Sequence, residues 1–151
     1  MIKSAIDPDE TADRGIHLFT YSLYPHSGTF KESDVQLKAM NLNLPVLTYT
    51  IKGRNVEDEF VQFSLVEIES EEDHVLIDTI KAAEDGQGWI VRIYEYKNKK
   101  ENNVKIHFHQ PVLKVCECNL CEENEVEVQV KDDIIAMDIG CYEIKTFKIY
   151  C

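Results

Sequence analysis

The chain has 151 residues, of which 44% are hydrophobic and 29% charged, with a formal net charge of −12. That length suits one domain burying roughly 68 to 70% of its unfolded surface, and the composition excludes the disordered, collagenous and membrane classes. The negative excess repels phosphate backbones and anionic head groups, which argues against nucleic acid and membrane surfaces as partners and leaves neutral or cationic ligands.

Ile2-Lys3-Ser4-Ala5 reads as the tail of a strand, and Asp7-Pro8-Asp9 leads straight into structured sequence, the way an excised domain begins. The N-terminus lacks the basic-then-apolar pattern of a signal peptide, and no apolar run approaches the roughly 20 residues that span a bilayer. Alternation with period two then predicts strands over Ile16 to Tyr24, Phe60 to Glu67, His74 to Ala82, Trp89 to Tyr96, Val104 to His109, Val112 to Cys118, Glu125 to Val130, Ile134 to Met137 and Glu143 to Tyr150.

One short helix is expected over Glu32 to Asn41, capped by Ser33 or Asp34 and stopped before Pro45. Turn chemistry marks Pro25-His26-Ser27-Gly28, Lys52-Gly53-Arg54-Asn55 and Asp85-Gly86-Gln87-Gly88, and the polar run Lys97 to Asn103 reads as a hairpin tip. The strand after Gly88 is apolar on both faces, as a central strand is. The last strand alternates Phe147 and Ile149 with Lys148 and Tyr150, so one of its sides is expected to be wet. About nine short strands at this spacing predict an all-β fold, an antiparallel β-sandwich with at most one short helix, formed as a single domain over 1–151.

Cys116, Cys118, Cys121, Cys141 and Cys151 are an odd number crowded near one end, unlike an extracellular disulfide framework, and they read as reduced thiols. With no Asn-x-Ser/Thr sequon, this points to a cytoplasmic protein. Cys118 and Cys121 have the spacing of one zinc knuckle, but Cys141 and Cys151 lie too far apart to supply the second; the thiols are read as small buried hydrophobes. His107 and His109 share a strand face, where a metal pair competes with the simpler reading that Val104, Ile106 and Phe108 face the core and leave both imidazoles toward solvent.

Adjacent Glu84 and Asp85 are poorly placed as a glycosidase carboxylate pair, since neighbours on a strand diverge; both are expected in solvent or capping backbone N–H groups. Phe19, Tyr21, Tyr24, Trp89, Tyr94 and Tyr96 are either core aromatics or a platform for sugars. Arg92, set in an apolar strand, needs a carboxylate or carbonyl partner if buried, and Glu84, Asp85 or Glu143 is a candidate.

Several motifs resemble one family in order along nearly the whole chain. They are Asp13-Arg14-Gly15 with His17, Phe19, Tyr21, Pro25 and His26; Leu42-Asn43-Leu44-Pro45; Lys81-Ala82-Ala83-Glu84-Asp85-Gly86 with Arg92, Tyr94 and Glu95; Cys118-Asn119-Leu120-Cys121-Glu122; and Tyr142-Glu143-Ile144-Lys145-Thr146. Together they resemble the C-terminal β domain of the bacterial and vacuolar-type α-mannosidases of glycoside hydrolase family 38, with Cys121 standing where an apolar residue is expected and Cys141 where proline is common. The resemblance implies a retaining glycosidase whose nucleophile, acid/base carboxylate and zinc lie in a separate N-terminal catalytic domain, so this chain carries no catalytic residue and no metal or other cofactor. Its implied partners are that catalytic domain and, through it, an α-mannoside substrate, with a homo-oligomer also compatible. Asp13, Arg14 and Gly15 are the candidate substrate-proximal loop. A free-standing carbohydrate-binding module that uses the face around Tyr94 and Tyr96 is the alternative.

Overall fold

The computed structural model describes residues 7–12, 14–50 and 62–151. Eight strands form two antiparallel sheets: β1 (Val66–Glu69), β2 (Val75–Ala82), β3 (Trp89–Glu95), β4 (Glu101–Phe108), β5 (Lys114–Cys118), β6 (Val126–Val128), β7 (Ile134–Ile139) and β8 (Ile144–Tyr150). The smaller sheet runs β1-β4-β7 and the larger β2-β3-β8-β5-β6. This is the all-β sandwich expected, with eight strands among the described residues.

Strand alternation builds the core. Val104, Ile106 and Phe108 of β4 and Ile135 and Ile139 of β7 meet Val91 and Ile93 of β3, Phe147 and Ile149 of β8 and Val115 of β5 in one buried cluster. Fully burying each such side chain contributes about 1.5–3 kcal/mol. On the wet side of β4, Lys105 and His107 reach Glu69 at 2.5 and 2.9 Å, and His109 approaches Glu67 at 3.3 Å. The paired histidines thus make cross-strand contacts with carboxylates of β1, and the buried set is the one that alternation predicts.

The five-stranded sheet departs from that pattern because both faces of its centre are covered. Ile90, Cys116, Thr146 and Lys148 point away from the core, yet all four are buried. The expectation of a wet side on the last strand is therefore wrong. β8 lies between β3 and β5, and the turns after β2 and β5 fold over its outer face. Trp89 to Glu95 is a central strand, as read from the sequence.

Three other expectations fail. Residues 16–24 run as irregular backbone, and the ladders of both sheets are formed by β1 to β8 alone among the described residues. In place of the strand expected over Phe60 to Glu67, β1 starts at Val66; Phe60 and Val61, like the turn at Lys52 to Asn55 and the strand tail at Ile2 to Ala5, lie outside the described residues. The polar run after β3 is a crossover between sheets, since β3 pairs with β2 and β8 while β4 pairs with β1 and β7.

Before the sandwich, a 3-10 turn (Phe30–Glu32) precedes helix α1 (Val35–Asn43), close to the expected span. The Glu32 carboxylate accepts hydrogen bonds from the N–H and hydroxyl of Thr29. Tyr24 donates to Asp34 at 2.7 Å, and α1 touches the sheet where the Tyr94 hydroxyl lies 3.5 Å from the Met40 sulfur.

Candidate functional site

The outer face of the larger sheet carries a network of charges that joins two loops. The β2–β3 turn, residues 83–88, is drawn tight by Ala83 N–H donating to the Gly88 carbonyl at 3.1 Å. Gly88 has φ +83, and a Cβ built there would overlap the carbonyl oxygen of Ile149, so only glycine lets β3 enter beside β8. Asp85 accepts from Gln87 N–H at 2.9 Å, the capping role expected of it, and its other oxygen takes a hydrogen bond from Lys148 at 2.6 Å.

Lys148 is 3% exposed and reaches two carboxylates, Asp85 from one loop and Glu125 from the other at 2.9 Å. Glu125 also accepts from the Tyr150 hydroxyl at 2.7 Å. Lys81 binds Glu84 and, at 2.7 Å, Glu122; the second Glu122 oxygen accepts from Glu84 N–H at 2.8 Å. Arg92 completes the layer by donating to Thr146 Oγ1 at 3.3 Å and the Leu120 carbonyl at 3.2 Å. The arginine's partners are thus a hydroxyl and a carbonyl, none of the three carboxylates expected. The loop over residues 119–125 is shaped by Asn119, whose Oδ1 accepts from the N–H groups of Cys121 and Glu123, both at 2.9 Å.

These contacts set the titration of the site. Lys148 is held well above the ordinary lysine range, first by Asp85 and then by Glu125. Lys81 is raised by Glu122 and Glu84. The carboxylates move the opposite way: Asp85 and Glu125 are lowered first by Lys148, and Glu122 first by the Glu84 N–H. Asp9, Glu32, Asp34, Glu69 and Glu72 are also lowered. The network is suited to holding loops. A general acid for glycosidic cleavage needs a carboxyl whose affinity for its proton is increased.

The remaining candidates scatter. Asp13 lies outside the described residues; Arg14 and Gly15 are exposed, with Arg14 N–H donating to the Thr11 carbonyl at 3.1 Å, and neither enters the network. Phe19, Tyr21 and Tyr24 stand on the irregular segment, whereas Trp89 packs edge-on against Phe108 at 5.8 Å between ring centres. Tyr96 is buried, its hydroxyl donating to the Asp73 carbonyl at 2.8 Å. The six aromatics therefore form no common platform.

Among the thiols, Cys116 is buried and Cys118 half-buried, and burial raises both above the usual thiol range. Cys121, Cys141 and Cys151 are exposed, which corrects the packing role expected of them. Among the described residues no group of three or more His, Cys, Asp or Glu could hold a metal ion. Nor is any described helix long and apolar enough to cross a membrane.

Sequence reasoning missed the burial of Lys148 and of His74. Lys148 looked like a surface residue because alternation counts faces without knowing that loops cover one of them. His74, 1% exposed, has Nδ1 2.9 Å from the Glu72 carbonyl and Nε2 3.1 Å from Glu101. Nε2 and Glu101 Oε2 approach without an aligned hydrogen bond, while the other Glu101 oxygen accepts from Glu71 N–H at 2.7 Å. A histidine just before a strand that reads well gave one signal, but its partner sits across a sheet boundary that the sequence does not show.

The family model described as "Glycosyl hydrolases family 38 C-terminal beta sandwich domain" matches residues 74–147. The chain is 32% identical to Alpha-mannosidase G of Dictyostelium discoideum over 98% of its own length, and 28% identical to Alpha-mannosidase 2C1 of Mus musculus over 97%. It is 30% identical to Alpha-mannosidase 2C1 of Homo sapiens over 81%. It spans only 14% of the first two relatives and 11% of the third. No solved structure matches the chain. Four of the residues that carried the resemblance, Lys81, Glu84, Asp85 and Glu122, hold the two loops together by ion pairs and hydrogen bonds, Arg92 ties down the same face, and the matched stretch runs from the start of β2 into β8: the chain belongs to glycoside hydrolase family 38, as its C-terminal β-sandwich domain.

Proposed function

We propose that this chain is the C-terminal β domain of a cytoplasmic α-mannosidase, where it supports the catalytic domain and helps wall the substrate cleft. The observation that carries the reading is that the family-like residues are engaged in fixing two loops against a sheet. Every carboxylate among the described residues whose titration is displaced is lowered, which suits ion pairing. The upstream domain supplies the nucleophile, the acid/base carboxylate and the zinc in this reading. The five cysteines are all free thiols, in keeping with a reducing compartment.

The test is turnover of an aryl α-mannoside by the 151-residue chain and by a polypeptide that also carries the upstream domain this reading requires. The longer protein is expected to hydrolyse the substrate and the chain alone to be inactive. Turnover by the metal-stripped chain overturns the proposal. Asp13, Arg14 and Gly15 are assigned to the substrate-facing loop, and Arg14→Ala in the longer protein is expected to lower kcat/KM while leaving Tm unchanged. Unchanged kinetics removes the loop from the cleft. Burial of Tyr96 counts against the alternative of a free-standing sugar-binding module.

A further inference from the structure

We propose that residues 16–24 are a β-strand whose sheet lies outside this chain, and that they pair with the edge of a β-sheet in the preceding domain of the longer polypeptide. The inference rests on reading the chain as the C-terminal part of a family 38 enzyme. Three observations on the segment carry it.

The first is pattern against exposure. Ile16, Leu18, Tyr21 and Leu23 place apolar side chains on both faces of an extended chain, as a central strand does. They are 95, 94, 85 and 92% exposed, whereas Val91, Ile93, Phe147 and Ile149 of the sandwich are fully buried. Strand-patterned sequence with its apolar groups in water calls for a covering surface. The second is charge. No Asp or Glu occurs between Arg14 and Lys31, in a chain that has 28 of them. Depletion of charge marks the core of an interface.

The third is the extent of the similarity. The family's sandwich model begins at residue 74, yet likeness to the Dictyostelium and mouse relatives takes in 98 and 97% of the chain. The segment is therefore shared with those proteins but lies outside the sandwich unit. Because the chain spans 14% of either relative, most of each lies outside the matched region, and the proposal draws its sheet from there. A sheet edge supplies main-chain donors and acceptors to a segment that joins no ladder among the described residues. A second copy is the weaker occupant, since two chains of net charge −12 repel each other.

Backbone hydrogen exchange read by mass spectrometry tests this, on the 151-residue chain and on a polypeptide that also carries the preceding domain. Amides of 16–24 are expected to exchange on the order of 100-fold more slowly in the longer protein. Equally fast exchange in both overturns the proposal, and if aryl α-mannoside turnover persists in that protein the functional reading survives. Slow exchange in the 151-residue chain that deepens with concentration identifies a second copy as the occupant and overturns it too. A reading frame with no upstream domain overturns both readings together.

Discussion

Replacing Gly88 with alanine separates two costs that glycine avoids, and Gly86 two residues earlier is the natural control. Both have positive φ, +73 at Gly86 and +83 at Gly88. A left-handed conformation costs an L-residue roughly 1–2 kcal/mol. At Gly86 nothing lies within 4 Å of a new Cβ, so Gly86→Ala is expected to lose that amount and no more. At Gly88 the new carbon overlaps the Ile149 carbonyl oxygen and stands 3.1 Å from its carbonyl carbon. Both atoms are backbone of the central strand, so β3 and β8 must part. Forcing extra volume into a packed site costs typically about 1–3 kcal/mol. Distorting the turn also endangers the hydrogen bond from Ala83 to Gly88, worth about 1 kcal/mol. Gly88→Ala is thus expected to lose about 3–6 kcal/mol, against a total stability of about 5–15 kcal/mol for a typical domain. Urea unfolding followed by far-ultraviolet circular dichroism measures both variants. Losses that agree within about 1 kcal/mol refute the claim that close approach of two strands is what demands glycine at residue 88.

The charge network predicts an acid limb in stability. Asp85, Glu122 and Glu125 sit below the ordinary carboxylate range, so their contribution is present above an unfolded value near 4 and is lost as pH falls through their folded values. Lys81 and Lys148 are raised, so theirs is present below roughly 10.4 and lost only at still higher pH. The triple variant Asp85→Asn, Glu122→Gln, Glu125→Gln should flatten the fall of Tm between about pH 5 and 2; a profile parallel to the parent's contradicts the assignment. Glu101→Ala strips buried His74 of its facing carboxylate and Glu71 N–H of its acceptor, and is expected to cost about 1–3 kcal/mol in the same urea assay. A loss under about 0.5 kcal/mol would mean that the pair contributes nothing. A thiol-disulfide dye should modify Cys121, Cys141 and Cys151 quickly in the native protein, and Cys116 and Cys118 only on unfolding. Five fast thiols would contradict the burial of β5.

The strands from residue 66 onward were legible because one principle, alternation on a half-buried surface, governs most of them. β2, β3, β5 and β8 fall within a residue or two of the expected spans. What alternation could not convey is which strand neighbours which. The run after β3 reads as a hairpin tip since its composition is that of any polar turn, and only the sheet assignment reveals a crossover. Lys148 reads as wet for a related reason: a lysine between Phe147 and Ile149 has the local pattern of a surface strand, and its burial depends on carboxylates 23 and 63 residues away in sequence. The segment 16–24 shows the converse, a strand pattern with no ladder, because pattern records what a segment needs and the described residues do not provide it. As for the site, Lys81, Glu84, Asp85, Arg92 and Glu122 were singled out from the sequence, yet the bonds that join the two loops were not, since those cross between elements distant in sequence.

The position of β8 has a consequence for how the molecule is made. It is the last strand in chain order and the middle strand of the larger sheet, the piece that joins the β2–β3 pair to the β5–β6 pair. During synthesis those two hairpins must wait, each with a raw edge, until β8 leaves the ribosome. A premature stop after Gly140 would therefore leave two separate ribbons where there should be one sheet, and such a product is a ready substrate for chaperones and proteases.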